Sequence, residues 1–258
     1  MVGTVEEYLL KKIGEKGALH VVLIDPERVT PRSASLLAQE GEMGGSSVIM
    51  VGGSTIVSST HLDAVVRAVK KKVQLPVVLF PNNITGVSRY ADALWFMSLL
   101  NSADPYFITG VQVLAAPLVN KFGLEAIPLG YLIVGEGGAA AVIGRAWPIP
   151  YNKPELAAAH ALAAQYLGMR FVYLEAGSGV SRPVPAEMIA LVKSVTQVKL
   201  VVGGGIRTGI QAAEVASAGA DLIVTSTALE ESGKTFVGSK VREIVEGINA
   251  GVSNRYRL

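Results

Sequence analysis

The chain has 258 residues, of which 50% are hydrophobic, 17% charged and 6% aromatic, and it contains no cysteine. The lack of cysteine excludes a disulfide framework, a thiolate zinc site and a cysteine nucleophile, and it fits a reducing cytoplasm. The formal net charge is +2, which argues against a nucleic-acid partner held mainly by electrostatics.

The mean hydropathy of +0.42 is high enough to raise the question of a membrane protein. No stretch of about 18 uninterrupted apolar residues occurs, however, so a transmembrane segment is not expected. Residues 1–16 carry Glu6, Glu7, Lys11, Lys12, Glu15 and Lys16 and do not resemble a signal peptide. We therefore expect a cytoplasmic protein, in which strands buried on both faces or an apolar pocket account for the hydropathy.

Eight short apolar runs, bounded by Gly, Pro, Asn or Asp, predict parallel strands covered on both faces. In chain order they are residues 19–24, 47–51, 77–80, 93–100, 130–134, 171–175, 199–202 and 222–225. Helical patterns alternate with them over residues 30–40, 59–72, 105–122, 154–167, 185–195, 209–218 and 240–249. This alternation in about 250 residues predicts a single (β/α)8 TIM-barrel domain over residues 1–258.

Two connections depart from the regular pattern. The third and fourth strands are joined by PNNITGVSRYAD, which is too short for a crossover helix, so we expect a modified barrel without the helix after strand 3. The segment after the fifth strand, GEGGAAAVIGRAWPIPYNK, is long and rich in glycine. Such a segment is usually functional or part of an interface, and Trp147 within it is a candidate interface anchor.

Polar residues and glycines concentrate just after the predicted strands. Because active sites of this fold lie at the carboxyl ends of the strands, the pattern predicts an enzyme. Glycines at Gly203, Gly204 and Gly205 follow strand seven, and Ser226-Thr227 follows strand eight at the start of a short helix. Backbone N–H groups of such loops bind anions, so the two loops predict a phosphate site.

Two carboxylates end predicted strands. Asp25 ends strand one and could bind Mg²⁺ together with the Ser54 hydroxyl at the end of strand two; a structural turn is the alternative. Glu175 ends strand six and could orient substrate hydroxyls or accept a proton, whereas the alternative is an ion pair with Arg182 or Arg207. Trp95, in strand four, could pack in the barrel or line a pocket.

The chain resembles the geranylgeranylglyceryl phosphate synthase family, which includes the bacterial heptaprenylglyceryl phosphate synthases. The resemblance rests on five segments that span nearly the whole chain in order: LIDP at 23–26, VGGS at 51–54, FMSLLNS at 96–102, YLEAGSG at 173–179 and VGGGIR at 202–207. Family members form a modified barrel that lacks the third helix. The helical pattern PELAAAHALAAQYLG resembles the archaeal branch.

The resemblance implies a prenyltransferase that joins the 3-hydroxyl of sn-glycerol 1-phosphate to geranylgeranyl diphosphate, with release of diphosphate and with Mg²⁺ as cofactor. It makes Asp25 and Glu175 catalytic and assigns the metal to Asp25 and Ser54. The implied residues for sn-glycerol 1-phosphate are Tyr173, Leu174, Glu175, Ala176, Gly177, Ser178, Gly179, Gly203, Gly204, Gly205, Ser226 and Thr227. The residues beyond strands three to five, with Trp95 and the 105–122 helix, would border the prenyl chain.

One departure and several alternatives accompany this interpretation. Many family members carry Gly-Asn where this chain has Ser226-Thr227. Alternative functions are a phosphate-binding barrel isomerase of amino-acid biosynthesis, a flavin-binding barrel, and a non-catalytic lipid-carrier or assembly module. The resemblance also implies a homo-oligomer, a dimer or a hexamer, and transient contact with a membrane surface is expected from the lipid substrate.

Overall fold

The computed structural model describes residues 2–55, 58–231 and 237–255. Its centre is a closed barrel of eight parallel strands, each paired with the next along the chain and the last with the first. The strands are β1 (Leu19–Ile24), β2 (Val48–Gly52), β3 (Val77–Phe80), β4 (Ala93–Leu99), β5 (Glu125–Ile133), β6 (Phe171–Glu175), β7 (Lys199–Gly203) and β8 (Leu222–Thr225). The α-helices are α1 (Thr4–Lys16), α2 (Pro31–Met43), α3 (Ser59–Lys70), α4 (Val111–Phe122), α5 (Gly138–Ile143), α6 (Pro154–Tyr166), α7 (Ala186–Val195), α8 (Gly209–Ser217), α9 (Thr227–Glu231) and α10 (Val237–Arg255).

The predicted (β/α)8 barrel and the missing third helix are both confirmed. Between β3 and β4 the chain forms only a 3-10 turn, Ile84–Gly86. None of the helices in the described ranges has the length and apolar character that a membrane crossing requires.

Several elements differ from the prediction. Strand β5 begins at Glu125 rather than at residue 130. The helix expected over 105–122 begins as a π-helical turn, Tyr106–Gly110, and continues as α4. The glycine-rich segment after β5 contains the short helix α5, and α1 precedes the elements that the sequence predicted.

The interior of the barrel is filled by side chains, and α1 closes its amino-terminal end. Leu9 and Ile13 of α1 pack in the same cluster as the interior residues Trp95 and Phe171. The carboxylate of Glu125 accepts hydrogen bonds of 2.7 and 2.8 Å from the first backbone N–H groups of this helix. Such an acceptor satisfies N–H groups that have no partner within the helix, and its charge suits the helix dipole.

Strands β3 and β4 are joined over a much shorter length than their neighbours. Only Val78 and Leu79 of β3 pair with β4, whereas β4 and β5 pair through seven residues. Within the described ranges, residues 95–99 of β4 therefore pair with no strand on that side. Because the helix that normally covers this place is also absent, an opening remains between β3 and β4.

Candidate active site

Asp25 lies where β1 ends and forms part of a defined turn. The following 3-10 turn, Pro26–Arg28, is capped by Asp25, whose Oδ1 accepts from the backbone N–H of Glu27 at 3.0 Å. The Oδ2 atom lies 3.5 Å from Nε of Arg28. His61 Nε2 lies 2.9 Å from the carbonyl oxygen of Pro26 and holds this turn against α3. The carboxylate is thus fixed at the carboxyl end of the barrel.

The turn after β2 packs directly against Asp25. A Cβ atom added to Gly53 would lie 2.6 Å from Oδ1 of Asp25, so only glycine permits this approach. Asn82, after β3, donates from Nδ2 to the backbone oxygen of Ser54 at 2.9 Å. Its Oδ1 is buried and has no hydrogen-bond partner among the described residues. The structure therefore brings Asp25, Ser54 and Asn82 to one corner of the barrel mouth.

Glu175 ends β6 with a buried carboxyl group, 7% exposed. Its Oε1 accepts a hydrogen bond of 2.7 Å from the backbone N–H of Gly177. Burial raises the pKa of Glu175, and the Tyr173 hydroxyl and the Gly177 N–H act in the opposite direction. No ion pair joins Glu175 to an arginine among the described residues; Arg182 stacks on the Tyr151 ring, and Arg207 donates to the carbonyl oxygen of Gly179.

Tyr173 lies inside the barrel in a group of three aromatic rings. Its ring is 5.4 Å from that of Phe80 and 5.3 Å from that of Tyr131. The Tyr173 hydroxyl is buried and makes no hydrogen bond of normal geometry within the described ranges. A Cβ atom on Gly203 would meet this hydroxyl at 2.1 Å. Glycine at 203 thus makes room for the Tyr173 hydroxyl.

A small polar pocket lies between the loops that follow β6, β7 and β8. Its volume is about 400 Å³, including the part open to solvent, and Gly179, Gly204 and Gly205 are among the residues that line it. Across it, the hydroxyl oxygens of Ser178 and Thr227 are 3.2 Å apart. The lining residues are Leu23, Tyr173, Glu175, Ser178, Gly179, Val180, Gly204, Gly205, Ile206, Arg207, Val224, Thr225, Ser226, Thr227 and Ala228.

A larger groove, mainly apolar, lies along the opening between β3 and β4. It encloses about 1260 Å³, including the part open to solvent. One wall comes from Phe80 and the loop after it, and the other comes from β4, α4 and α5. Asp25, Gly53, Ser54 and Asn82 lie on its polar side. The groove and the small pocket meet, because both are lined by Leu23, Glu175, Ser178 and Ser226.

Not all of the predicted site residues line one of the two cavities. Most line the pocket or the groove, whereas Leu174 and Ala176 pack in the layer between barrel and helices. Gly177 and Gly203 line neither cavity, but they contact two side chains that do, Glu175 and Tyr173. Trp95 both packs in the barrel and lines the groove.

Sequence reasoning did not assign several lining residues to the site. Tyr131 and Arg28 line the groove, and Arg207 lines the small pocket. Phe107 also lines the groove, and it belongs to the 105–122 segment that was expected to border the prenyl chain. Tyr131 lies within β5, and the strand register pairs it with Tyr173 of β6. Arg28 follows Asp25 by three residues, and that spacing could have indicated it.

Comparison with known proteins decides the family. A family model described as the PcrB family matches residues 11–248. The chain belongs to the PcrB family.

Relatives cover the PcrB-family chain almost from end to end. It is 53% identical over 249 residues to the geranylgeranylglyceryl phosphate synthase of Thermofilum pendens, which covers 96% of this chain and 97% of that protein. It is 54% identical over 251 residues to the synthase of the same name from Thermococcus kodakarensis, with 97% and 98% covered.

Solved structures agree with this family assignment. The structure of (S)-3-O-geranylgeranylglyceryl phosphate synthase from Thermoplasma acidophilum in complex with sn-glycerol-1-phosphate superposes with a TM-score of 0.91 at 40% identity, covering 96% of this chain and 99% of that one. Tryptophan synthase from M. tuberculosis, at 17% identity and a TM-score of 0.59, shares only the fold.

Proposed function

We propose that this PcrB-family protein forms the ether bond between the 3-hydroxyl of sn-glycerol 1-phosphate and geranylgeranyl diphosphate, and releases diphosphate. The observation that carries the proposal is that a small pocket lined by hydroxyl groups and glycines meets a larger, mainly apolar groove at Glu175. A reaction that joins a phosphorylated polyol to an isoprenoid needs this arrangement. The reacting hydroxyl of the polyol and the reacting carbon of the isoprenoid must meet, while the phosphate and the apolar chain lie in different surroundings.

The small pocket suits glycerol phosphate. Gly204, Gly205 and the turn before α9 line this pocket, and backbone N–H groups of such turns bind phosphate; Ser226 and Thr227 add hydroxyl groups. The substrate hydroxyls would then reach Glu175 and the buried hydroxyl of Tyr173, which makes no hydrogen bond of normal geometry among the described residues. A ligand hydroxyl there would satisfy a buried polar atom, which makes binding selective for a polyol.

The corner formed by Asp25, Ser54 and Asn82 fits Mg²⁺. The close approach that Gly53 permits puts the β2 turn beside the carboxylate, and the partnerless Oδ1 of Asn82 adds an oxygen without a donor. Mg²⁺ prefers oxygen ligands and usually combines one or two carboxylates with substrate phosphates and water. We therefore propose that Asp25 and Ser54 hold Mg²⁺, which when bound neutralises charge on the departing diphosphate.

The protein side chains would carry out the remaining steps. Tyr173 and Glu175 orient the glycerol, so that its 3-hydroxyl oxygen faces C1 of the prenyl chain. That oxygen forms the new C–O bond while the bond from C1 to the diphosphate oxygen breaks, and the electron pair leaves with the diphosphate. Glu175 accepts the hydroxyl proton, and its raised pKa makes it a better proton acceptor than an ordinary carboxylate.

The test is single-turnover product formation from radiolabelled sn-glycerol 1-phosphate, Mg²⁺ and prenyl diphosphates from C15 to C35. We expect an acid-stable ether that is lost with EDTA and in Asp25→Asn. The absence of product with every chain, from a folded protein that binds glycerol phosphate, would contradict the proposal and reopen the isomerase alternative.

We also propose a cytoplasmic homo-oligomer that contacts membrane surfaces transiently. Trp147, Tyr166 and Leu167 are each at least 71% exposed. Large exposed apolar side chains of this kind are typical of surfaces that another molecule covers. Ile143 is 38% exposed and lines the groove, so an apolar edge borders the entrance for the lipid substrate. Light scattering at micromolar concentration should give a dimer or a larger assembly, and a monomer would contradict this proposal.

A further inference from the structure

The side chains that line the groove carry more negative than positive charge, although the proposed ligand, a prenyl diphosphate, is itself an anion. Among the described side chains that line it, Asp25 and Glu175 are acidic and Arg28 is the single cationic one. A prenyl diphosphate carries about three negative charges at neutral pH, so Mg²⁺ alone leaves it incompletely neutralised next to Asp25. A second positive group near the diphosphate is therefore needed.

Arg28 occupies the place from which that charge can be supplied. It follows Asp25 by one 3-10 turn, and its Nε lies 3.5 Å from Oδ2 of Asp25. Its side chain is 61% exposed, so the guanidinium can move without disturbing the core. The guanidinium presents several N–H donors in a planar array that matches phosphate oxygens.

We propose that Arg28 is a binding residue for the diphosphate of the prenyl substrate, and that it leaves Asp25 when Mg²⁺ and the diphosphate arrive. This inference rests on the proposed function. Without a ligand, the guanidinium partly compensates the carboxylate. Once a cation binds Asp25, the two positive groups repel each other unless a phosphate lies between them. The exchange therefore couples metal binding to substrate binding at one carboxylate.

The experiment measures binding instead of turnover, with inorganic diphosphate as the probe. Isothermal titration with Mg²⁺ present should show about tenfold weaker diphosphate binding for Arg28→Gln, and Arg28→Lys should recover part of it. Arg32→Gln is the matched control, because Arg32 is exposed, lies four residues away and does not line the groove. It removes the same charge, and we expect less than a twofold effect. The affinity of all variants for sn-glycerol 1-phosphate should stay unchanged.

A second measurement, of metal binding without diphosphate, should not show the loss of affinity expected for diphosphate. Without diphosphate, Arg28→Gln should bind Mn²⁺, measured by EPR as a substitute for Mg²⁺, at least as tightly as the wild type, because the competing guanidinium has been removed from Asp25. A mere loss of structure in the turn would weaken both ligands and would overturn the inference. Equal diphosphate affinity in Arg28→Gln and wild type would also overturn it. If the wild type shows no Mg²⁺-dependent diphosphate binding, both this inference and the proposed function fail.

Discussion

The side chain of Glu175 and the backbone of Gly177 are joined by a hydrogen bond of 2.7 Å that turns the carboxyl group back over the end of its own strand. This contact holds the group at the place where the polar pocket and the apolar groove meet. A carboxyl group that is buried there and orients a hydroxyl should reveal itself in the pH dependence of catalysis.

The titration of Glu175 should determine how kcat/KM falls at acidic pH. Burial raises its pKa above the ordinary value of 4.5, and only the deprotonated form accepts a proton, so kcat/KM should fall at a higher pH than an ordinary glutamate would cause. Glu175→Gln should lower kcat by about 10² to 10⁴ and abolish this fall. Glu136→Gln is the control, an exposed glutamate after the neighbouring strand β5, and its profile should match the wild type.

Gly204→Ala should damage the phosphate pocket. The residue has φ +84°, and a Cβ there would lie 2.6 Å from the backbone nitrogen of Gly177 and 2.7 Å from Oε1 of Glu175. We expect the affinity for sn-glycerol 1-phosphate to fall by about tenfold or more, with a lower Tm, in calorimetry and thermal unfolding. Gly14→Ala, in α1 with open space around it, should instead stabilise the protein by about 0.5–1 kcal/mol. Equal losses in both variants would contradict the argument.

Ala115→Leu should shorten the usable groove. Ala115 is buried on α4 and lines the groove, so added methyl groups would occupy space meant for the prenyl chain. The ratio of kcat/KM for C20 over C15 diphosphates should fall by about tenfold. Ala116→Leu is the matched control, since that residue is exposed on the same helix and does not line the groove. An unchanged ratio in Ala115→Leu would show that the prenyl chain does not lie beside Ala115.

His20 should make the protein acid-sensitive. Burial lowers its pKa from 6.5 to about 3, and its ring nitrogens lie 2.7 Å from the Ser46 hydroxyl and 2.8 Å from that of Thr225. The unfolded chain takes up the proton first, so the contribution to stability is complete above pH 6.5 and is lost as the pH falls towards 3. Between these two pH values, the free energy of unfolding should fall by up to about 1.4 kcal/mol per pH unit because of this group.

His20→Gln provides the comparison for that slope. The amide can keep a hydrogen bond with Ser46 or Thr225 but does not titrate. Urea unfolding at pH 7 and pH 5 should therefore show a smaller difference for the variant than for the wild type. Identical differences would assign the acid sensitivity to other groups.

The barrel could be predicted because buried parallel strands are short apolar runs with polar residues at their carboxyl ends. The start of β5 could not, since Pro128 interrupts the run before Gly130. The structure tolerates that proline because β5 pairs with β6 only from Leu129 onward, and its first half has a neighbour on one side only.

The site was predictable to the extent that it consists of strand ends. Asp25, Ser54 and Glu175 each follow or end a strand, so topology alone brings them to one rim. The groove depends instead on how far β4 extends past β3, which is a matter of register. No local pattern reports register, and for this reason Tyr131 was not assigned to the site beforehand.

The junction of the two cavities bears on inhibitor design. A molecule that carries a phosphate at one end and an isoprenoid at the other would fill both cavities at once, and each end would raise the effective concentration of the other. The reaction product has this form, so it should dissociate more slowly than either substrate. A non-hydrolysable bisubstrate analogue built on the same spacing should outcompete both substrates, with a long residence time as its signature.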